Sequence, residues 1–518
     1  MLFSYITSIL FLVWSLVSFI TYTIYETLLF RCCPCLSTHN QTTIKDNKKS
    51  NDLPRGKIAI VGSGIAGSGA AWTLTQSNFD VHIFESATVL GGNAKTYVWP
   101  DGKRTGLSVL AWPSDYFKNY QALLARLNIS HSKVTLGFHI QNQLGENYVQ
   151  GDMAHSQLHH KHKSSLAGWE WMVWFVRSVN RLFNCCPRRK SLYRINLFNP
   201  LNLMPLRWLS FLFGVTRECW DEIIVPMYAS TFLTVKLDYV PSIILPIISD
   251  IIPLIEPAQL QSWNQNSTVV FEKMLKNVTV HLNTTVNDVQ QNPTTSLWSI
   301  NQKYHGFDRV IFASNAKNVR ECSHILPTWL RLLFHNITYT MENDDSMIEG
   351  TIHSDASIFP TENVLTSSAN FIRSRKDAKT GKLKYTNTFI LSSWIPSLEG
   401  DRESPRLVTY GAAAAASKAK KGDGSGDENV LDQNKVYNHW NHPELNPVIL
   451  GVQYLLRYVQ GRNGIYFCGS LATPGNGHDL SFCSGMAVAV KIGAEYPFQD
   501  EGDACLEDFH LLRKLMGL

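Results

Sequence analysis

Three glycines near the amino-terminal end of the chain have the spacing of a loop that holds a dinucleotide. Gly62, Gly64 and Gly67 form the pattern G-x-G-x-x-G, and Glu85 follows later in the chain. In such loops backbone N–H groups approach a pyrophosphate at the start of a helix, and an acidic residue about 20 positions further on accepts from a ribose hydroxyl. The spacing therefore predicts a dinucleotide site with Glu85 as the ribose ligand.

The residues around this loop predict the strand, helix and second strand that such a site needs. Ile58 to Val61 form a continuous apolar run, which is typical of a buried parallel strand. A helix is expected from Ala66, so Ile65 and Ala66 lie in the predicted phosphate-binding turn. A second strand, Val81 to Phe84, leads to the acidic residue. The glycine pattern is specific here because it stands between a predicted strand and a predicted helix.

A second glycine pair indicates which dinucleotide is bound. Gly91 and Gly92 belong to the run G-G-N-A-K-T, in which Asn93 follows them. A second clamp on the same pyrophosphate suits FAD, a prosthetic group, better than NAD, a mobile cosubstrate. With this run the chain resembles the flavin-containing amine oxidase and phytoene desaturase superfamily. Within it, the chain is similar to the predicted NAD/FAD-binding oxidoreductases whose bacterial members read G-G-H-A-N-T. The resemblance implies FAD, and Asn93 replaces the arginine that contacts the cofactor in most amine oxidases.

The resemblance covers residues 57–493 and implies three further cofactor contacts. These are Gly106 beneath the flavin, the backbone of Val286 at the adenine, and Ala313 where a strand passes the cofactor. The segment that contains Val286 alternates as a strand does. The chain departs from the superfamily before this segment, because the usual Gly-Gly pair is replaced there by the run QSWNQNSTVVFEKM.

A second glycine-rich segment, YFCGSLATPGNGHDLSFCSGMAVAV, lies about four hundred residues after the first. Ile465 to Cys468 predict the last parallel strand, and a helix is expected after the glycines, near Asp479 or Leu480. The amino-terminal end of that helix would face the flavin edge where negative charge gathers on reduction. The cofactor contacts implied here are Gly469, Ser470, Asp479 and Leu480. Amine oxidases tend to have an acid in place of Ser470. Cys483 is interpreted as a small packing residue, with covalent flavin attachment as the alternative.

The middle of the chain carries no catalytic signature. His442, in the run WNHPELNPV, is a weak candidate for an acid or base, and a structural histidine at a loop is the favoured alternative. The run HSQLHHKHK is interpreted as a solvated loop, and no metal site is predicted. The apolar runs LAGWEWMVWFVRSVNRLF and YVPSIILPIISDIIPLIEP are interpreted as ordinary core. The alternative is the wall of an apolar tunnel with its mouth at a bilayer, with Trp169, Trp171, Trp174, Arg177 and Arg181 at the edge.

Composition and the amino terminus bear on partners and location. The 518 residues carry a formal net charge of +5 and no long basic block with interleaved aromatics, which argues against a nucleic-acid partner. Residues 1–30 are almost uncharged and exceed the roughly 20 residues that span a bilayer, so they predict a single membrane anchor. Basic residues follow this run, which predicts that the catalytic body lies on the cytoplasmic side of the membrane. An endomembrane is one candidate for that membrane. The oligomeric state is not set by the sequence.

The predicted fold class is α/β. An FAD-binding Rossmann-type lobe, of the kind found in flavoproteins with two dinucleotide-binding domains, carries an inserted α+β substrate lobe and follows a transmembrane helix. The predicted boundaries are 1–30 for the anchor, 31–54 for a polar linker, 55–100 with 262–320 and 450–500 for the FAD lobe, 101–261 with 321–449 for the substrate lobe, and 501–518 for a tail.

The predicted function is that of a membrane-anchored FAD-dependent oxidoreductase. It would act as a desaturase, dehydrogenase or isomerase on an apolar lipid-like substrate by hydride transfer to flavin. One alternative is an amine oxidase that produces peroxide. A second is a flavin-fold membrane scaffold without catalysis.

Overall fold

The computed structural model of the chain describes most of the residues after the predicted linker. The described residues are 54–107, 109–183, 190–192, 199–232, 236–264, 266–322, 326–340, 350–361, 364, 367–376, 381–398, 405–411, 442–475 and 477–518. The predicted membrane anchor, residues 1–30, lies outside them, as does the run SKAKKGDGSGDEN (417–429), whose composition predicts a disordered insertion. None of the helices within the described ranges is long and apolar enough to cross a membrane.

Nineteen strands are described, most of them short. They are β1 Lys57–Val61, β2 Asp80–Phe84, β3 Thr96–Val98, β4 Arg104–Gly106, β5 Ala111–Trp112, β6 His131–Leu136, β7 Phe138–Gln141, β8 Asn147–Val149, β9 Ala258–Trp263, β10 Thr279–His281, β11 Val289–Gln291, β12 Trp298–Ile300, β13 Tyr304–Phe307, β14 Arg309–Phe312, β15 Gly350–His353, β16 Asn370–Lys376, β17 Leu383–Ile390, β18 Leu407–Gly411 and β19 Ile465–Phe467.

Fifteen α-helices are described between and after these strands. They are α1 Ile65–Gln76, α2 Lys118–Arg126, α3 Gln157–Lys161, α4 Lys163–Phe183, α5 Leu206–Leu212, α6 Arg217–Cys219, α7 Val225–Phe232, α8 Leu245–Ile251, α9 Thr268–Met274, α10 Ala316–Cys322, α11 Thr328–His335, α12 Leu391–Trp394, α13 Pro447–Leu456, α14 His478–Ile492 and α15 Asp503–Met516. A π-helical turn, Trp220–Ile224, joins α6 to α7.

A five-stranded parallel sheet forms the base of the first half of the molecule. Its strand order is β10-β2-β1-β14-β19, and every neighbouring pair is parallel. Its inner strands are continuous apolar runs, as in β1 and β14, because helices cover both faces of such a sheet. The carboxyl ends of all five strands meet at one edge, where a doubly wound sheet binds its ligand.

Two helices from opposite ends of the chain, α1 and α14, pack against each other with almost no side chain between them. A Cβ atom on Gly485 of α14 would lie 2.0 Å from the carbonyl oxygen of Ala66 in α1. A Cβ on Gly69 would lie 2.8 Å from the ring of Phe482. Small residues in both helices allow this close packing, and the contact joins the two glycine-rich segments of the sequence.

A six-stranded mixed sheet forms the base of the second half. Its order is β15-β18-β17-β16-β7-β8, with β16 and β7 parallel and the other pairs antiparallel. The apolar run of the sequence from Leu166 forms part of α4, whose buried face packs in the core of this half. Trp169 stacks there on Tyr228 of α7, with ring centroids 5.5 Å apart. The bilayer-edge interpretation of Trp169 is therefore wrong, because its side chain is 1% exposed.

Some predicted elements differ from those observed. The alternating segment around Val286 is not a single strand, because β10 ends at His281 and the chain runs without regular structure until β11. Helices α2 and α11, predicted in the substrate lobe, pack in the core around the parallel sheet. The predicted tail, residues 501–518, forms α15, which packs in the same core.

The contact between α1 and α14 predicts an asymmetry between two glycines in helices. Gly485→Ala places a methyl group 2.0 Å from a backbone oxygen, so we expect the free energy of unfolding to fall by about 3 kcal/mol or more. Gly451→Ala in α13 meets no atom within 4 Å and removes a flexible residue from a helix, so a gain of about 0.5–1 kcal/mol is expected. Thermal and urea unfolding of both variants measure the difference. Equal effects of the two substitutions would contradict the close contact.

Candidate cofactor site

The first glycine-rich loop forms a tight turn between β1 and α1. Gly62 has a φ of +103°, and a Cβ there would lie 2.8 Å from the carbonyl oxygen of Ala313. A Cβ on Gly67 would lie 2.0 Å from the carbonyl oxygen of Gly62. Gly64 is the N-cap of α1, which begins at Ile65, and no described side chain caps it. A Cβ on Gly64 would meet no atom within 4 Å, so open space lies before uncapped N–H groups, as a phosphate requires.

Glu85 lies at the carboxyl end of β2, as predicted, and its carboxylate is already held by neighbouring residues. Its Oε2 accepts from the Ser63 N–H at 2.9 Å and from the Ser63 hydroxyl at 2.7 Å. Its Oε1 accepts from the N–H of Ala87 at 2.9 Å. A carboxylate has about four acceptor positions, so a ribose hydroxyl would share Glu85 with the rotatable hydroxyl of Ser63. Ser63, the variable residue inside the glycine pattern, was not among the site residues predicted from the sequence.

The second glycine pair lies against the first loop. Gly91 and Gly92 have φ values of +107° and +58°, and a Cβ on Gly92 would lie 3.1 Å from the Cα atom of Gly64. The N–H of Gly91 donates to the Ser63 hydroxyl at 3.4 Å. The structure thus brings together the two glycine groups that the sequence assigns to one pyrophosphate.

The carboxyl-terminal glycine segment reaches the same loop. A Cβ on Gly469 would lie 3.3 Å from the Cβ of Ala66. The N–H of Gly469 is not free for a cofactor, since it donates to the Ser484 hydroxyl at 2.7 Å. The carbonyl of Ser470 accepts from the side chain of Gln453. Gly469 can therefore meet a ligand by close approach, while its N–H fixes the turn.

Helix α14 begins one residue earlier than the first predicted position, at His478, with Gly477 as its N-cap and no capping side chain among the described residues. Asp479 lies in the first turn and is buried, and its Oδ1 accepts from the Tyr120 N–H at 2.7 Å. Leu480 packs on the backbone of Gly475 and Gly477. The helix start has no capping side chain among the described residues, so its N–H groups can meet a carbonyl oxygen.

The three other implied cofactor contacts, Ala313, Val286 and Gly106, differ in their surroundings. Ala313 follows β14 and touches Gly62, so it belongs to the turn. The carbonyl of Val286 accepts from the Asn318 amide at 3.1 Å, and the Asn318 carbonyl oxygen accepts from Ser314, next to Ala313. Gly106 ends β4 and pairs with Thr96, and its nearest contacts are within its own loop. Its place beneath a flavin stays a prediction.

Asn93 and His442, which are far apart in sequence, lie in contact. The Asn93 amide nitrogen is 3.3 Å from Nε2 and 3.4 Å from Nδ1 of the histidine ring. The backbone of His442 pairs with Thr340, whose N–H donates to the His442 carbonyl at 2.9 Å. Burial lowers the pKa of His442 to about 4, so the ring is neutral at neutral pH. Both predicted roles, structural histidine and proton carrier, are compatible with this position.

Four aromatic and imidazole side chains that the sequence analysis did not identify surround the start of α14. We call Trp112, Tyr120, Trp263 and His478 the indole–imidazole cluster. Ring centroids are 4.7 Å apart for Tyr120 and His478 and 4.6 Å apart for the two indoles. Burial lowers the pKa of His478 to about 3 and raises the pKa of the Tyr120 hydroxyl. The residues come from β5, α2, β9 and α14, so no local pattern could have grouped them.

The histidine-rich run differs from its prediction as a solvated loop, because it contains α3 and a buried histidine. His162 lies 2.7 Å from Glu222, and these two with Glu218 present ligand atoms within 4.8 Å of one another. The ammonium group of Lys161 lies 2.7 Å from Glu218 and 3.0 Å from Glu222. A lysine thus already supplies the positive charge that this acidic group attracts.

Comparison with known proteins agrees with the observed fold. The NAD(P)-binding Rossmann-like domain family matches residues 60–127. The FAD-dependent oxidoreductase dpchF of Colletotrichum higginsianum is 38% identical over 74 residues, which are 14% of this chain. The match spans only 15% of that relative's length.

Solved structures share the fold over most of the chain. A putrescine oxidase variant redesigned in cofactor binding has a TM-score of 0.59 at 14% identity, over 85% of this chain and 99% of its own. A CLA-producing fatty acid isomerase from P. acnes has a TM-score of 0.55 at 13% identity, over 84% and 98%. Reduced UDP-galactopyranose mutase has a TM-score of 0.54 at 10% identity, over 89% and 100%.

These findings confirm the fold class predicted from the sequence. The chain has the α/β Rossmann-type fold of FAD-dependent oxidoreductases, and its amino-terminal dinucleotide-binding segment is similar in sequence to one of them. The expected resemblance to the amine oxidase and desaturase superfamily is confirmed in the fold.

Two histidines with half-buried, desolvated rings predict a dependence of stability on pH. Their pKa values in the folded protein, about 4 for His442 and about 3 for His478, lie below the ordinary value of 6.5. Unfolded chains then bind more protons below pH 6.5, so stability is full above that pH and is lost as the pH falls toward 4 and then 3. We expect His442→Asn and His478→Gln to flatten urea-unfolding stability between about pH 7.5 and about pH 5. The exposed His155→Gln is the control, and an unchanged slope in the first two variants would contradict their neutral burial.

Proposed function

We propose that the protein binds FAD at the edge of the parallel sheet and is an oxidoreductase. The observation that carries this proposal is the meeting of the glycine-rich segments there. Gly92 approaches Gly64, Gly469 approaches Ala66, and the uncapped starts of α1 and α14 lie at the same edge. A ligand with a pyrophosphate at one end and a ring that gains negative charge at the other fits two such helix ends.

The residues present fit FAD and divide its parts between them. The start of α1 would hold the pyrophosphate, and Glu85 with Ser63 the adenosine ribose. The start of α14 would stabilise negative charge at the flavin ring. The chemistry that FAD supplies when bound is the acceptance of a hydride from the substrate. The aromatic rings of the indole–imidazole cluster would exclude water from this end, and His442 is the candidate acid or base.

The purified protein is expected to be yellow, with near-stoichiometric flavin absorbance in detergent. Gly92→Ala forces a side chain into a φ of +58°, 3.1 Å from the Cα of Gly64. The added methyl group pushes the second glycine pair away from the first loop and so displaces the proposed pyrophosphate contacts, and we expect FAD affinity to fall roughly tenfold, about 1.4 kcal/mol. Gly102→Ala, at a φ of +81° with no atom within 4 Å of the added Cβ, is the matched control and retains FAD. The ratio of flavin to protein after gel filtration measures both.

A colourless wild-type protein would contradict FAD binding and support the non-catalytic scaffold. Flavin that remains with the protein after acid denaturation would show covalent attachment, for which Cys483 is the candidate. Cys483 is buried one turn inside α14 with its thiol 3.7 Å from Asp479, which suits the packing role.

For the substrate, we propose an apolar lipid-like molecule that undergoes desaturation, dehydrogenation or isomerisation. The fold does not select a substrate, since a putrescine oxidase and a fatty acid isomerase share it. What supports the lipid is the chemistry of the described residues around the start of α14, which are aromatic rings and the neutral His478. A cationic amine is better served by exposed or paired carboxylates, and the nearby Asp479 is already engaged by Tyr120 and Cys483.

An amine oxidase is the alternative activity. Incubation of the flavin-containing protein with polyamines and aromatic amines, coupled to a peroxide assay, separates the two. Sustained peroxide production would contradict the lipid substrate, while the FAD site itself would be supported by either activity.

We also propose that the protein is held at a membrane with its body on the cytoplasmic side. Residues 1–30 supply the anchor in sequence. The body offers an exposed aromatic face on α4 and α5, whose members are Trp171, Trp174, Phe175, Trp208, Phe211 and Leu212. Trp171 is 63% and Phe211 67% exposed. Tryptophan and phenylalanine on an exposed helix face are typical of contact with the headgroup region of a bilayer.

If the face on α4 and α5 lies in the bilayer, its tryptophans will be quenched by lipids brominated in the acyl chain. The full-length protein in nanodiscs is the sample. Replacing Trp171 and Trp174 together with phenylalanine should remove much of the quenched fluorescence. Trp329→Phe, which changes a 43% exposed tryptophan on α11, should leave it in place. Equal loss in both variants would exclude a specific contact of this face with lipid.

A further inference from the structure

The indole–imidazole cluster concentrates polar atoms that lack partners in the interior of the protein. Trp112 and Tyr120 are 0% exposed and Trp263 is 3% exposed. The unsatisfied atoms are Nε1 of Trp112, Nε1 of Trp263, the hydroxyl of Tyr120 and Nε2 of His478, which find no hydrogen-bond partner of normal geometry among the described residues. A buried polar group without a partner is costly, so such a concentration indicates a missing occupant.

The four rings are close enough to contact one bound group. The Tyr120 ring lies 4.7 Å from His478, 5.8 Å from Trp112 and 6.2 Å from Trp263, measured between centroids. The Trp263 indole also lowers the pKa of the Tyr120 hydroxyl against the larger effect of burial, so these two polar groups are near each other. Phe271, 6.5 Å from His478, is a further aromatic ring beside the cluster.

The hydrogen-bonding types of these atoms restrict which chemical group can occupy the cluster. An indole N–H can only donate, and a tyrosine hydroxyl donates readily, so the cluster is rich in donors. A ligand that is itself only a donor, such as an alkylammonium group, would leave both indoles unpaired. The occupant must therefore present a hydrogen-bond acceptor.

Asp479 restricts the charge of that acceptor. Its side chain is fully buried, and its Oδ1 is 2.7 Å from the backbone nitrogen of Tyr120. A second carboxylate close to it would be repelled in a region of low dielectric constant. An uncharged carbonyl oxygen satisfies the donors and avoids this repulsion.

We propose that the indole–imidazole cluster binds an uncharged carbonyl oxygen at the start of α14. The oxygen belongs either to the carbonyl group of an apolar substrate, such as a ketone or ester, or to a ring carbonyl of the flavin. The proposal deepens the proposed function and rests on it for the nearby position of the flavin. Binding of a carbonyl by these four residues is itself independent of flavin.

The first test uses variants that remove one donor and keep an aromatic ring at the position. Tyr120→Phe deletes a hydroxyl that has no hydrogen-bond partner of normal geometry among the described residues, so it should not lower the thermal midpoint of the protein. Trp263→Phe also removes ring volume from the core, so its thermal midpoint should fall less than that of Trp298→Phe, which loses the same volume and an indole hydrogen bond as well. Tyr410→Phe and Trp298→Phe are matched controls. They delete atoms that donate to the carbonyls of Leu107, at 2.6 Å, and of Asn463, at 3.2 Å, so both should lower it.

The second test measures binding by calorimetry in detergent with a medium-chain methyl ketone, the primary alkylamine of equal length and the corresponding alkane. The ketone should bind the wild-type protein more tightly than the amine or the alkane. If the substrate supplies the carbonyl, Tyr120→Phe and Trp263→Phe weaken ketone binding about tenfold and leave the ratio of flavin to protein unchanged. If the flavin supplies the carbonyl, the same variants lower the ratio of flavin to protein and shift the flavin absorbance, while ketone binding does not change.

Two results would overturn the proposal. One is an amine that binds as tightly as the ketone, because the cluster would then not select an acceptor. The other is that Tyr120→Phe and Trp263→Phe lower the thermal midpoint as much as the controls and change neither ketone nor flavin binding, which would indicate a structural water. Failure of the proposed function is a separate outcome. In that case the wild-type protein is colourless, and ketone binding that still depends on Tyr120 and Trp263 would keep the carbonyl site.

Discussion

The contact between α1 and α14 is the constraint on which the candidate site depends. The two helices approach so closely that a methyl group on Gly485 would overlap the carbonyl of Ala66. Both helices begin at the carboxyl edge of the parallel sheet, and neither start has a capping side chain among the described residues. The partial positive charge at an uncapped helix start is stabilised by a negatively charged ligand. The packing therefore also sets the electrostatic preference of the site.

The parts of the site that follow each other in sequence could be predicted from it. The first loop was predictable because strand, glycines, helix and acidic residue form one local unit of fixed spacing. The Rossmann-type fold followed from this unit and from the second glycine-rich segment. Ser63 could not be predicted in the same way. Its hydrogen bonds to Glu85 depend on the geometry of the turn, which the glycines indicate and the serine does not.

The parts that depend on distant residues could not be predicted. The acidic residue close to the histidine-rich run in sequence, Asp152, contacts His155, whereas His162 lies beside Glu222, which is 60 residues further along the chain. The indole–imidazole cluster needs four elements to assemble before its polar atoms meet. Val286 was placed in a strand because the residues around it alternate. The chain instead leaves the sheet after His281, with the following segment tied to Asn318 by a side-chain hydrogen bond.

The order of strands in the parallel sheet has a consequence for biosynthesis. Strand β1 is made early, but its neighbour β14 and the next strand, β19, come from residues 309–312 and 465–467. At about 5–20 residues per second, the ribosome needs on the order of tens of seconds to pass from the first glycine loop to α14. During this interval the apolar edge of β1 and the small-residue face of α1 have no native partner. Until the last helix emerges, the candidate cofactor site is incomplete, because its two glycine-rich segments have not yet met.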